Sequence, residues 1–397
     1  MSKAQTSPLA QPLTLPCGAT LKNRIAKSAM SDSLGDGAGN PTHDQVRLYE
    51  RWAKGGLALS IVGEVQATSH FAEKPGNLIL NGHSDRNLFK CLAKVGATDN
   101  AHLWLQLGHA GAMADAPIST PKGPSALDLP GLTCGALSLD EICGLPIEFA
   151  RTASLAKELG FGGVQVHAAH GFLLSQFLSP LFNQREDAYG GSLQNRMRLL
   201  LEVINAVRNA VGPEFPVGIK LNATDQLEGG FAEDEALEVI AAVDQMAIDL
   251  IDISGGTYFP GAASSSDRAG SGPYFLEFAG RARQKTKITL MVTGGFKTLA
   301  QAESAIVEGK ADLIGLARAL VVDPELPSFW LSGQRSEPQF PRFINPPEGG
   351  VTAWYTMQIT QNAKEDAALA SNELEAVIAE YEGRDEARRR IWNSRLS

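Results

Sequence analysis

Short β-rich runs alternate with longer stretches of helical periodicity along most of the chain. The β-rich runs fall at Ile25–Met30, Leu57–Val62, His102–Leu107, Gly163–His167, Val217–Leu221, Leu250–Ser254, Thr289–Thr293 and Leu313–Leu316. Helical patterns separate them at Asp44–Lys54, Asp85–Thr98, Ile147–Leu159, Leu193–Val211, Glu233–Met246, Phe275–Lys285 and Leu299–Glu308. Parallel strands need crossovers of this length, whereas antiparallel neighbours can be joined by tight turns. The alternation predicts an α/β protein, a (β/α)8 TIM barrel. A doubly wound sheet would need G-x-G-x-x-G after its first strand, and Gly35-Asp36-Gly37-Ala38-Gly39 opens no βαβ unit of that form.

Three segments fall outside the repeat. Thr14–Leu21 predicts a β-hairpin ahead of the first strand, placed to plug the barrel floor. Ala112–Leu137, interrupted by Pro117, Pro121, Pro124 and Pro130, is too long for an ordinary connection, and long loops on this side of a barrel usually build the active site. Ser332–Gly350 is rich in Pro, Gly and polar residues and ends the barrel, and Asn362–Ser397 is a charged helical tail. That tail reads as an amphipathic helix packed on its own barrel, with a contact to a second copy, in a homo-oligomer, as the alternative. The expected organisation is one barrel over residues 1–331 and a C-terminal extension over 332–397 that is not an independent domain.

Side chains alternate across a strand, so every barrel strand sends one set toward the helices and the other into the barrel. Strand three then points Trp104 and Gln106 inward, strand four Gln165 and His167, strand five Lys220 and Asn222, and strand six Asp252 and Ser254. Polar groups therefore gather inside the barrel near the C-terminal strand ends, where barrel enzymes place their sites. His167 and His170 leave strand four at that mouth; two imidazoles can bind metal, exchange protons or donate to a substrate oxygen. No His-x-His pair on a first strand supports a metal. Lys220 suits a Schiff-base nucleophile or a fixed charge beside an anionic cofactor. The ends of strands seven and eight decide between them: Thr293-Gly294-Gly295-Phe296 lets backbone approach an anion, and Ala317-Arg318 offers a two-pronged phosphate clamp. The ligand is expected to be a phosphorylated cofactor.

Composition narrows the partners. The 397 residues carry 35 basic and 44 acidic side chains, a net charge of -9, which argues against nucleic acid or an anionic membrane as the main partner. No apolar run approaches the roughly 20 residues of a membrane span, and the polar Met1–Gln11 does not read as a secretory signal, so a cytoplasmic protein is expected. Cys17, Cys91, Cys134 and Cys143 show no C-x-x-C spacing, which disfavours a disulfide scaffold, zinc ribbon or iron–sulfur cluster.

His167-Ala-Ala-His170-Gly-Phe172-Leu-Leu-Ser-Gln-Phe-Leu-Ser-Pro180, followed by Asn183-Gln-Arg185 and Tyr189-Gly-Gly-Ser-Leu-Gln-Asn195-Arg196, resembles the Old Yellow Enzyme family of FMN-dependent ene reductases. Leu21-Lys-Asn23-Arg24-Ile25, Gln106-Leu-Gly-His109-Ala-Gly111 and Ala311-Asp-Leu-Ile-Gly-Leu-Ala-Arg318 agree in order and spacing, so the likeness spans about residues 13–330. It implies a flavin across the barrel mouth, reduced by NADH or NADPH and reoxidised by a small-molecule electron acceptor: an activated alkene, nitro compound or quinone.

The same likeness implies roles position by position. Ser28, Ala29, Met30 and Ser31 match the segment running along the flavin ring, with Ser31 where relatives have Thr or Cys against flavin O4. Gly63 would end strand two beside the ring, Gln106 would read the pyrimidine edge, and Lys220 would stand near N1 and O2. Gly294, Gly295, Ala317 and Arg318 match the phosphate grip, and His167 and His170 the pair that polarises the acceptor oxygen. Two departures stand out. Phe172 occupies the position of the usual Tyr proton donor, leaving water or an acid such as Tyr258 in the substrate pocket; and Ala112 follows Gly111 where many relatives have Arg. A Lys220-dependent lyase or aldolase, and a non-catalytic flavin-binding barrel, are the competing readings.

Overall fold

Eight parallel strands close into a barrel in the computed structural model, which describes residues 7–259, 262, 272–334, 336–366, 368–370 and 373–396. They are β1 (Ile25–Met30), β2 (Leu59–Gln66), β3 (His102–Gly108), β4 (Gly163–Ala168), β5 (Val217–Asn222), β6 (Leu250–Ser254), β7 (Thr289–Thr293) and β8 (Leu313–Leu316). Each pairs with its sequence neighbour, and β8 closes on β1 through Ile314↔Ile25, Gly315↔Ala26 and Leu316↔Lys27. Helices α1 (His43–Lys54), α2 (Arg86–Gly96), α3 (Leu139–Glu158), α4 (Arg198–Val211), α5 (Glu233–Val243), α6 (Leu276–Ala282), α7 (Leu299–Val307) and α8 (Arg318–Val322) follow the strands in turn. This is the TIM barrel that the alternation predicts.

Local chemistry explains where the helices begin. Thr42 Oγ1 accepts from Gln45 N at 3.2 Å ahead of α1, while Ser138 and Glu141 form a reciprocal capping box ahead of α3. That box moves the start of α3 to Leu139, eight residues before the expected Ile147; Pro146 is accommodated inside the helix. The stretch expected as one helix over Leu193–Val211 breaks at Met197 into Leu193–Arg196 and α4. One face of α4 buries Leu199, Leu200, Val203, Ile204, Val207 and Val211, each contributing roughly 1.5–3 kcal/mol of burial.

The barrel interior is layered. At the floor, strands Leu13–Thr14 and Thr20–Leu21 pair antiparallel as the expected hairpin. Its Leu15 and Leu21 enter an apolar cluster with Leu59, Ile61, Trp104, Leu250, Met291 and Leu313. Polar side chains replace this layer one step further up the strands.

Three expectations are corrected. Strand two does not end at Val62: β2 continues to Gln66 through a register shift between Val62 and Val65, with Glu64 in the left-handed region at φ 58°. The segment Ala112–Leu137 is not a bare loop, because Leu127–Leu129 and Lys122–Gly123 both pair with Leu132–Ala136 in a small three-stranded sheet. The helical tail begins at Gly350 rather than Asn362 and forms two helices, α9 (Gly350–Lys364) and α10 (Leu374–Arg395). Most of α9 is buried, including Trp354, Tyr355, Met357 and Ile359, and Asn362 Nδ2 donates to Val321 O of α8 at 2.7 Å. By contrast α10 lies over the loops after β1, β2 and β3, with Arg388 donating to Ser33 O, Arg389 to Asp115, and Ser69 Oγ to Leu396 O.

Candidate active site

Above the apolar floor, the inward residues of six strands meet in one hydrogen-bonded layer. Gln106 Nε2 donates to Gln165 Oε1 at 2.8 Å, and Gln165 Nε2 to Asp252 Oδ2 at 3.2 Å. Lys220 Nζ donates to Ser28 Oγ at 2.7 Å and pairs with Asp252 at 2.9 Å, while Thr293 Oγ1 donates to Asp252 Oδ1 at 2.6 Å. All six residues are buried. Ser28, Gln106 and Lys220 are thus brought together, but the Lys220 cation already has a carboxylate partner. Any positive field it sends toward a ligand is correspondingly reduced.

The next layer is the mouth. His167, at the end of β4, is buried, and its Nε2 lies 3.3 Å from His170 Nδ1. His170 sits at φ 62°, a backbone setting held by its N–H donating to Asn222 Oδ1 at 3.1 Å. Its other ring nitrogen, Nε2, is 2.8 Å from Ser254 Oγ. Burial pulls both imidazoles well below their ordinary pKa, aided at His167 by His170 and at both by the Lys220 charge, so both rings are neutral at pH 7. Phe172 is buried with its ring centroid 4.8 Å from that of His167. Tyr258, 64 % exposed, places its ring 5.7 Å from His170 and 6.0 Å from Phe172. Those four aromatic side chains form one group.

On the opposite side of the mouth, β1 ends at Met30 with Ser31 beyond it, and Ser31 Oγ is buried without a hydrogen-bond partner among the described residues. Gly63 lies within β2 rather than at its end, because the bulge carries the strand onward. A Cβ there would fall 2.5 Å from Met30 C, so only glycine allows β1 and β2 to approach. Gly294 and Gly295 after β7 have φ of 103° and 83°, and backbone alone forms this part of the rim. Ala317 precedes Arg318 at the start of α8, and the Arg318 guanidinium stacks over the Tyr355 ring of α9 at 5.4 Å.

A model of the NADH:flavin oxidoreductase / NADH oxidase family matches residues 8–336, which include all eight strands and both halves of this mouth. The chain belongs to this family. The Old Yellow Enzyme resemblance of the strand-four motif is thereby borne out. Among relatives, an NADH-dependent flavin oxidoreductase of Hypocrea jecorina is 32% identical over 349 residues, covering 80% of this chain and 87% of that one. Another of Neonectria sp. is 35% identical over 353 residues, covering 80% of this chain; the match spans 46% of that longer protein. An Old Yellow Enzyme homologue from Zymomonas mobilis shares the fold, with a TM-score of 0.72 at 23% identity over 83% of this chain and 94% of that one.

Two residues of this flavin oxidoreductase family member escape a sequence reading. Glu64 follows Gly63 inside an apolar run, a lone carboxylate that is its only signal; it is buried with Oε1 3.4 Å from His167 Nδ1. Tyr355 backs Arg318 from beyond the family match, and no local pattern marks it. Among the described residues, no cluster of three or more His, Cys, Asp or Glu could hold a metal, and no helix is long and apolar enough to cross a membrane.

Proposed function

We propose that the protein is an FMN-dependent, NADH-oxidising reductase of a small electron-poor acceptor: an α,β-unsaturated carbonyl, a nitro compound or a quinone. The observation that carries the reading is the neutral imidazole pair, whose Nε2 of His167 and Nδ1 of His170 lie 3.3 Å apart at the mouth. An acceptor oxygen within reach of both would be polarised by two hydrogen bonds as it gains electron density. The donor set also fits FMN. An orphaned Ser31 hydroxyl suits a polar ring edge, Gln106 lies deeper in the barrel, and Arg318, which follows the strand paired with the one ending at Gly294–Gly295, suits a phosphate. When bound, FMN supplies the ring that accepts hydride from the nicotinamide and passes it to the acceptor. The NADH dependence of the Neonectria and Hypocrea relatives supports NADH as the reductant.

Phe172 cannot donate a proton. Alkene reduction at this site therefore draws its carbon-bound proton from water or Tyr258, while a quinone or nitro group takes protons on heteroatoms. Lys220 is a poor Schiff-base nucleophile, being 1 % exposed and paired with Asp252. Purified protein should be yellow, bleach anaerobically with NADH, and regain colour with at least one acceptor class. Protein that stays colourless after FMN addition sinks the reading, and a borohydride-trapped Lys220 adduct would replace it. Phe172→Tyr should speed reoxidation by an enone and leave bleaching by NADH unchanged in stopped-flow traces.

A further inference from the structure

His167 Nδ1 and Glu64 Oε2 are both buried atoms without a hydrogen-bond partner among the described residues. They belong to side chains that touch, since Glu64 Oε1 stands 3.4 Å from Nδ1, out of line for a good hydrogen bond. A turn of the carboxyl satisfies both orphans at once, whereas a buried polar atom left without a partner is destabilising. The bulge at φ 58° aims Glu64 inward, against the alternation of its strand. Glu73, Lys74 and Lys220 are the charged groups felt at this carboxyl, and Lys220 is already neutralised by Asp252.

Three protonation patterns could join these two groups. A carboxylate with an imidazolium places two charges in a buried site, where desolvation offsets their attraction. A carboxylate accepting from a neutral Nδ1–H leaves Nε2 as a lone pair, unable to donate to an acceptor oxygen. A carboxylic acid donating to Nδ1 leaves the proton on Nε2 and buries no charge. On the other ring, a Ser254 hydroxyl donating to His170 Nε2, 2.8 Å away, leaves the proton on Nδ1.

We propose that Glu64, as a neutral acid, and Ser254 are positioning residues that lock the two imidazoles in complementary tautomers. His167 then presents Nε2–H and His170 presents Nδ1–H across the 3.3 Å gap. Two N–H groups cannot bond each other, so both stay unsatisfied until an oxygen acceptor comes within reach of the pair. The mouth is thus built to require an oxygen-bearing ligand, and the requirement is set by residues that do not touch it. Burial raises the Glu64 carboxyl well above the usual carboxylate range, in keeping with this assignment.

The inference rests on the reductase reading, but its test does not need turnover. Nitrogen-15 spectra of histidine-labelled, FMN-loaded protein distinguish the two neutral tautomers, with His167→Gln and His170→Gln identifying the signals. The expected result is Nε2–H at His167 and Nδ1–H at His170. Glu64→Gln keeps an N–H donor for Nδ1 and should keep the His167 signature; Glu64→Leu should lose it and raise the acceptor KM roughly tenfold, the worth of one hydrogen bond. An Nδ1–H tautomer at His167 in the unaltered protein, or an unchanged signature in Glu64→Leu, overturns the proposal. Because the unaltered protein decides by itself, a variant that fails to fold leaves the test intact. Failure with every acceptor would remove the reductase reading while the tautomers still report on Glu64.

Discussion

The barrel holds two polar layers, one above the other, and they are built in opposite ways. In the lower layer, Ser28, Gln106, Gln165, Lys220, Asp252 and Thr293 bond one another across the axis. In the upper layer, Ser31 Oγ, Glu64 Oε2 and His167 Nδ1 are buried and have no hydrogen-bond partner among the described residues. Native interiors rarely tolerate unpaired polar atoms, so three of them around one mouth mark where a ligand or a shifted side chain completes the bonding. The closed network below is the platform for the incomplete one above. The two layers also separate stability from function: damage below should unfold the protein, and damage above should spare the fold and weaken the site.

That separation can be broken most forcefully at Asp252. Asp252→Ala leaves the Lys220 cation buried without its partner and should cost about 3–5 kcal/mol in urea unfolding. Arg318→Ala should leave stability nearly unchanged and weaken FMN binding by about 1.5–3 kcal/mol, measured by flavin fluorescence on titration into the flavin-free protein. A subtler probe is pH. Both histidines have folded pKa values below the unfolded 6.5, so the unfolded chain binds more protons as pH falls beneath that value, and stability drops. His167→Gln removes one such group. It should flatten the fall in unfolding free energy below pH 6.5 by at most about 1.4 kcal/mol per pH unit. The smallest effect belongs to Ser31→Ala, which deletes an orphaned hydroxyl and should change stability by less than about 1 kcal/mol while altering the flavin spectrum. A Ser31→Ala loss as large as that of Asp252→Ala would erase the distinction between the layers.

Much of the lower layer was legible because period-two alternation is strict: Gln106, Gln165, Lys220 and Asp252 follow from strand phase alone. What phase conceals is pairing. Lys220 reads as a free cation until Asp252 is seen beside it, since strand order in space decides which inward residues meet. The upper layer was legible through the His167–Phe172 motif, and illegible at Glu64 because a bulge reverses alternation without any glycine or proline at that residue. The hairpin and the barrel strands other than β2 fall where the alternation puts them, whereas α3 and α9 begin earlier than their apolar periodicity suggests. A capping box at Ser138 and a left-handed Gly349 set those starts. Tyr355 lies 37 residues after Arg318, and only tertiary packing connects them.

The stacking of Arg318 on Tyr355 has a consequence for how the protein matures. Synthesis runs from the N-terminus, so all eight strands emerge from the ribosome before α9 does. A barrel completed at that moment has Arg318 without the aromatic ring that backs it. If Arg318 grips the cofactor phosphate as proposed, tight cofactor capture should follow translation of α9.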